Sequence, residues 1–212
     1  MRTGPGCHGP ATMVSLRQSL VRALADLESL GTPHAVVGGL AVSAHVEPRM
    51  TRDVDFAVGV DDDDEAEQVL FQMQQKGYTV RTVVEQSAIG RLATARLTLD
   101  TDDGILVDLL FSSSGIEKEI AAAAQRIELL SGVTARVAGV AHLIAMKLLS
   151  DSPGRPQDAI DLVALGRSAT AADLAGALAA VRLITDRGCH RGRRLEEALD
   201  SLVARIGPTS AG

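Results

Sequence analysis

The segment from His34 to Val58 constrains the fold of this chain more than any other. His34, Ala35, Val36 and Val37 form a short apolar run that ends at Gly38 and Gly39. A small-residue stretch over 39–46 predicts a helix, and Pro48 closes it. A polar loop then leads into an alternating run, in which Val54, Phe56 and Val58 share one face and Asp53 and Asp55 the other. Residues i and i+2 of a strand project on the same side. The pattern is therefore strand, glycine turn, short helix and a second strand that opens with two adjacent carboxylates. Hard oxygen ligands of this kind suit Mg²⁺, and a pair of such ions is one way to move a phosphoryl or nucleotidyl group.

The flanking pattern divides into two halves. Leucine and valine at helical spacing predict a helix over 13–30, with Gly31 as its C-cap. Asp61 to Asp64 form an acidic run placed just before an apolar-periodic segment. That position reads as a helix N-terminus, where acids favour the dipole, rather than as a ligand cluster. The helix extends to about Lys76, and Gly77 caps it. Three further strands are expected over 78–84, 91–99 and 105–111, with a turn at Thr101 to Gly104. Beyond Phe111 the chain turns helical, with helices expected over 116–124, 139–149, 157–166, 171–185 and 193–206. Thr170 and Asp173 have the spacing of a capping box. The predicted class is α+β: a mixed sheet with flanking helices over 13–131 and a helical C-terminal module over 132–212. Residues 1–12, rich in Gly, Pro and Thr, read as a disordered tail, and Met13 is an alternative start.

Composition narrows the function. Aromatic residues make up 2% of the 212 residues, so the core must be built from aliphatic side chains, and stacking platforms for single-stranded bases are scarce. A net charge of −6 excludes a uniformly basic nucleic-acid binder and leaves only a local basic surface. Cys7 and Cys189 fit no metal spacing and are expected to be reduced thiols of a cytoplasmic protein. No apolar run is long enough for a membrane span, and no secretory signal is expected.

A third carboxylate interrupts the apolar strand at 105–111. Asp108 stands there with no obvious cation nearby, and a buried lone carboxylate costs several kcal/mol. Either its strand lies beside Asp53 and Asp55 and one cation serves all three, or it is an edge strand with Asp108 turned to water. Gly38 and Gly39 lack the phosphate-loop spacing with its lysine. Without Cβ atoms they would let backbone N–H groups and a helix N-terminus approach phosphates. Lys147, in an otherwise apolar helix, is either a snorkelling surface lysine or a point charge for a triphosphate. Asp158 and Asp161 share a helix face with Arg155, as a functional pair or as a salt bridge to the core.

Taken together, these residues resemble the polymerase-beta-like nucleotidyltransferase superfamily. Gly38, Gly39, Arg49, Thr51, Asp53, Asp55 and Asp108 fall at the positions of its Gly-Gly, Arg-x-Thr-x-Asp-x-Asp and later strand-Asp pattern. Lys147, followed by Arg155, Asp158 and Asp161, is similar to the AbiEii and MenT toxin branch, with residues 34–165 covered. The chain departs from the pattern at Gly39, where the superfamily often has serine. Ser43, one turn on, is a substitute phosphate contact. A second departure is Gln157, where the branch usually has a basic residue.

The resemblance implies a Mg²⁺-dependent enzyme that moves a nucleoside monophosphate from an NTP to an acceptor hydroxyl. Asp53, Asp55 and Asp108 would bind two Mg²⁺ ions, with Asp108 helping to deprotonate the acceptor. Gly38, Gly39, Ser43, Thr51, Lys147, Asp158 and Asp161 would form the nucleotide site. The implied acceptor is RNA, at the 3′ end of tRNA; the basic stretch from Arg182 to Arg194 is either its backbone contact or a solvated helix end and loop. An antitoxin protein is an implied partner. The alternatives are a small-molecule, antibiotic-modifying nucleotidyltransferase and a degenerate nucleotide-binding partner of an antitoxin.

Overall fold

The computed structural model describes residues 10–99 and 105–207. Helix α1 (Pro10–Leu30) leads into strand β1 (His34–Val37), helix α2 (Gly38–His45) and strand β2 (Asp53–Val58). Helix α3 (Asp63–Gln75) is followed by strands β3 (Tyr78–Gln86), β4 (Arg91–Leu99) and β5 (Leu106–Leu110). Then come helix α4 (Glu117–Ala123), strands β6 (Gln125–Leu130) and β7 (Val133–Val137), and helices α5 (Val140–Ser150), α6 (Pro156–Ser168), α7 (Ala171–Asp186) and α8 (Leu195–Ile206).

The seven strands form one mixed sheet in the order β3-β4-β5-β2-β1-β7-β6. β2 runs antiparallel to β1 and parallel to β5, while β4 and β5 are antiparallel. These pairings put β2 and β5 in the sheet interior. Their alternate residues Val54, Phe56, Val107 and Leu109 are buried, with α1 and α4 packed on β2. The core is aliphatic, as the scarcity of aromatic residues requires. α5 packs on α6, α7 and α8, which closes the C-terminal helices into a cluster.

Local chemistry explains several boundaries. Asp62 caps α3 by accepting from the Glu65 N–H, and Asp63, Asp64 and Glu65 occupy its first turn. The acidic run is therefore a helix start, as its position before an apolar-periodic segment implies. Thr170 and Asp173 form the reciprocal capping box of α7.

Two expectations need correction. The helical module does not begin at residue 132, because Val133–Val137 is a strand that joins the sheet beside β1. Val133, Ala135 and Val137 alternate inward, and the small alanine dilutes an otherwise plain period of two. Ser131 and Gly132, with Gly132 at φ 71°, make the tight link from β6. α1 also starts at Pro10, inside the segment expected to be disordered. The rest of that tail, Cys7 included, and the turn expected at Thr101 to Gly104 lie outside the described residues. No helix among the described residues is long and apolar enough to cross a membrane.

Candidate active site

Strand register builds the site. Arg96 on β4 faces Asp108 on β5, Asp108 faces Asp55 on β2, and Asp55 faces Val37 at the end of β1. Thr82 on β3 extends this row outward from Arg96. All five residues line one cleft of about 750 Å³, together with Asp53, Gly38, Gly39, Arg49, Thr51, Lys147 and Asp158. A volume of this size falls within the range of small-ligand pockets.

Gly38 adopts φ 63°, and a Cβ there would lie 1.9 Å from Asp55 Oδ2. Only a glycine allows β1 to turn into α2 this close to the carboxylate. A Cβ on Gly39 would stand 2.9 Å from Thr51 Oγ1 and 3.1 Å from Arg49 Nη2. The departure to glycine at this position has a local cause: Arg49 and Thr51 already fill the space a serine side chain would need.

The carboxylates differ in state. Burial, then repulsion from Asp108 and Asp53, pushes Asp55 up to about 7. Burial and Asp108 also raise Asp53, with Arg96 and Arg52 opposing. Asp108 has a partner that the sequence reading missed. Arg96 donates to both of its oxygens, Nε to Oδ1 at 2.8 Å and Nη2 to Oδ2 at 2.6 Å. Asp108 is therefore neither a lone buried charge nor on an edge strand. The hydrogen bonds to Asp108 hold the Arg96 guanidinium well above its ordinary value.

A second network ties the loop before β2 to the C-terminal helices. Arg49 donates from Nε and Nη2 to the two oxygens of Asp161, each at 2.9 Å. Gln157 donates to Asp161 as well. Lys147 pairs with Asp158 and, at 2.8 Å, with Asp161, while Ser150 donates to Asp158. Burial would push Asp161 up, but the bonds from Arg49, Lys147 and Gln157 outweigh it and leave its carboxyl below the usual range.

Eight of the ten expected site residues thus meet at the cleft. Ser43 and Asp161 do not line it. Ser43 Oγ accepts the Arg49 N–H at 3.3 Å and supports the loop instead of reaching a phosphate. Asp161 is buried beneath the cleft and positions Arg49 and Lys147.

The basic stretch is mostly occupied within the protein. Arg182 pairs with Glu196, Arg187 with Glu119 and Arg194 with Glu197. Arg193 donates to the Leu148 and Asp151 carbonyls. Arg191 alone of the stretch lines the cleft.

Asp53 and Asp55 offer hard oxygen donors on one strand face, and their raised values mark a negative charge without a full set of partners. That donor set fits Mg²⁺. Among the described residues no three acidic, His or Cys side chains stand close enough to hold one ion together. Both Asp108 oxygens accept from Arg96, so Asp108 would join Asp53 and Asp55 around an ion only by sharing an oxygen with that guanidinium.

The family described as nucleotidyl transferase AbiEii toxin, type IV toxin–antitoxin system, matches residues 20–208. The chain belongs to the AbiEii nucleotidyltransferase family. No curated protein matches the sequence. Among solved structures, the fold is similar to an antigenic nucleotidyltransferase-like protein from Paracoccidioides brasiliensis, at 18% identity and a TM-score of 0.52, with 91% of this chain and 95% of that one covered. The antibiotic-resistance factor ANT(2'')-Ia aligns at 15% identity and a TM-score of 0.49, over 91% of each chain. MenT4, a nucleotidyltransferase toxin from Mycobacterium tuberculosis H37Rv, aligns at 14% identity and 0.39, over 91% and 93%.

For this AbiEii-family enzyme the Gly38 turn gives a direct test. Gly38→Ala should cost about 1–2 kcal/mol in backbone strain alone. It should also displace Asp55, with a loss of transfer activity of roughly 10²-fold. Melting curves and a transfer assay on the same preparation separate the two effects. Full activity would show that Asp55 tolerates the displacement.

Proposed function

We propose that this cleft moves a nucleoside monophosphate from an NTP to a hydroxyl on RNA, with the 3′ end of tRNA as the acceptor. The observation that supports this most is the row Arg96, Asp108, Asp55 across three strands, ending beside the Gly38 turn. Asp53 and Asp55 would hold Mg²⁺, which supplies charge to offset the phosphates and lowers the pKa of a bound hydroxyl. The backbone of α2 behind Gly38 and Gly39 directs its N–H groups at the phosphates. Thr51 and Arg49 border the same turn.

In the reaction, the acceptor oxygen forms a bond to the α-phosphorus and the bond from that phosphorus to the β-phosphate oxygen breaks. Pyrophosphate departs, and the hydroxyl proton leaves to solvent at the open cleft. Arg96 donates to both oxygens of Asp108, so neither is open to an acceptor hydroxyl unless that pair is disturbed. In this proposal Asp108 contributes charge and alignment. Catalysis then rests on positioning and fixed electrostatics. Membership of a type IV toxin–antitoxin family further points to an antitoxin partner, and the cytoplasm is the compartment where such substrates occur.

The test is incubation with each α-phosphate-labelled NTP, Mg²⁺ and total tRNA, beside an antibiotic panel. Label should appear on tRNA and depend on Asp55. Label on an aminoglycoside or lincosamide in preference to RNA would replace the acceptor, and no transfer to any acceptor would remove the proposal.

A further inference from the structure

Five basic side chains line the cleft: Arg49, Arg96, Lys147, Arg155 and Arg191. Arg49 is held by Asp161, Arg96 by Asp108, and Lys147 by Asp158 and Asp161. Arg155 lies 3.8 Å from Asp158. Arg191 is different, since among the described residues no carboxylate is within ion-pair distance of it. Its contacts all use Nη2, which donates to the Ser113 carbonyl at 2.7 Å and to Ser113 Oγ at 3.0 Å. Nε and Nη1 donate to no described residue.

Its backbone is also unusual. Arg191 has φ 54°, the one non-glycine residue with positive φ among the described residues. Gly188 and Gly192, at φ 73° and 72°, shape the turn on either side. A residue with a Cβ is uncommon in this conformation, and strain of this kind concentrates at functional sites. The strained turn carries the guanidinium out of the α7–α8 connection to the wall of the cleft. Burial and the neighbouring Arg155 and Arg193 all oppose its charge, and Glu117 offsets them in part. This end of the cleft has a positive surplus, while Asp53 and Asp55 carry the negative surplus.

We propose that Arg191 is a nucleotide-binding residue, whose guanidinium, with Arg155 beside it, takes the phosphate tail of the NTP and then the departing pyrophosphate. The proposal rests on the reading that the cleft takes an NTP. It draws Arg191 out of the basic stretch assigned to RNA, and it gives the phosphates a cation that need not first leave an ion pair. By contrast, two of the three donors of the Lys147 ammonium are already engaged with Asp158 and Asp161. Arg191 also bonds the loop that carries Ser113 and Ser114, both cleft-lining. Phosphate binding would therefore brace that loop between the sheet and the helices.

The experiment is a titration of wild type, Arg191→Ala, Arg191→Gly, Arg191→Lys and Arg194→Ala with each NTP and its di- and monophosphate in the presence of Mg²⁺, and with pyrophosphate. Arg191→Gly suits the left-handed backbone, so it separates loss of the guanidinium from loss of the fold. Arg191→Ala and Arg191→Gly should weaken NTP and pyrophosphate by about tenfold or more. Monophosphate affinity should be unchanged, Arg191→Lys should fall between, and Arg194→Ala should match wild type. Equal losses for tri- and monophosphate, or a change confined to the KM of the acceptor, would overturn the assignment. A wild-type protein that binds NTP no better than monophosphate would overturn the nucleotide reading of the cleft itself.

Discussion

Asp55→Asn should abolish nucleotide transfer while raising the melting temperature of the metal-free protein. The loss of activity should be about 10³-fold, the scale seen when a fixed electrostatic group is removed from an active site. The gain in stability comes from the same geometry. Asp55 is pushed up to about 7 by burial and by the charges of Asp108 and Asp53. Because its folded value exceeds the unfolded one, the native state binds more protons between pH about 4 and 7. Metal-free stability should therefore fall as pH rises through that window, and asparagine should flatten the fall. Each kcal/mol of repulsion removed should appear as about 2–4 °C for a chain of this size. Melting curves at pH 5 and 8, with and without Mg²⁺, are the measurement. A large loss of stability in the variant would instead assign Asp55 a structural role.

Lys147→Ala should destabilise the protein by about 3–5 kcal/mol, the cost of breaking a buried ion pair from one side. Its side chain is 13% exposed, and Asp158 and Asp161 are 8% and 2% exposed. Without Lys147 those two carboxylates share Arg49, Gln157, Ser150 and a distant Arg155. On sequence alone Lys147 is either a snorkelling surface lysine or a point charge for a triphosphate. The observed pairing makes the fold itself depend on it. Urea unfolding at neutral pH checks the magnitude. Lys147→Ala and Asp158→Asn should be strongly non-additive, since both act on one network. Additive losses would place Lys147 outside it.

How much could be read in advance follows from the range of each interaction. Gly38, Asp53 and Asp55 lie within one short segment, and strand periodicity alone puts both carboxylates on one side. The capping box at Thr170 and the helix start at Asp62 are equally local. Arg96 was missed because its relation to Asp108 depends on hairpin register across β4 and β5. Pairing the two strands residue by residue across their connection brings a cation opposite Asp108, a relation that neither strand shows by itself. β6 and β7 were missed because Ser131 and Gly132, between apolar residues, mark a turn without specifying a hairpin. Arg191 carries no local mark. Nothing in the run Arg191, Gly192, Arg193, Arg194 tells which guanidinium turns inward, since that is set by a left-handed turn and by packing on a loop 78 residues earlier.

The cleft draws its lining from Val37 through to Arg191, while the sheet is complete at Val137. During synthesis at roughly 5–20 residues per second, the 54 residues between Val137 and Arg191 take about 3–11 s. For that interval a growing chain can hold its carboxylates in register while lacking α6 and the arginine turn. An enzyme of a toxin family thereby has its sheet carboxylates in place seconds before the helices and the arginine turn that complete its cleft.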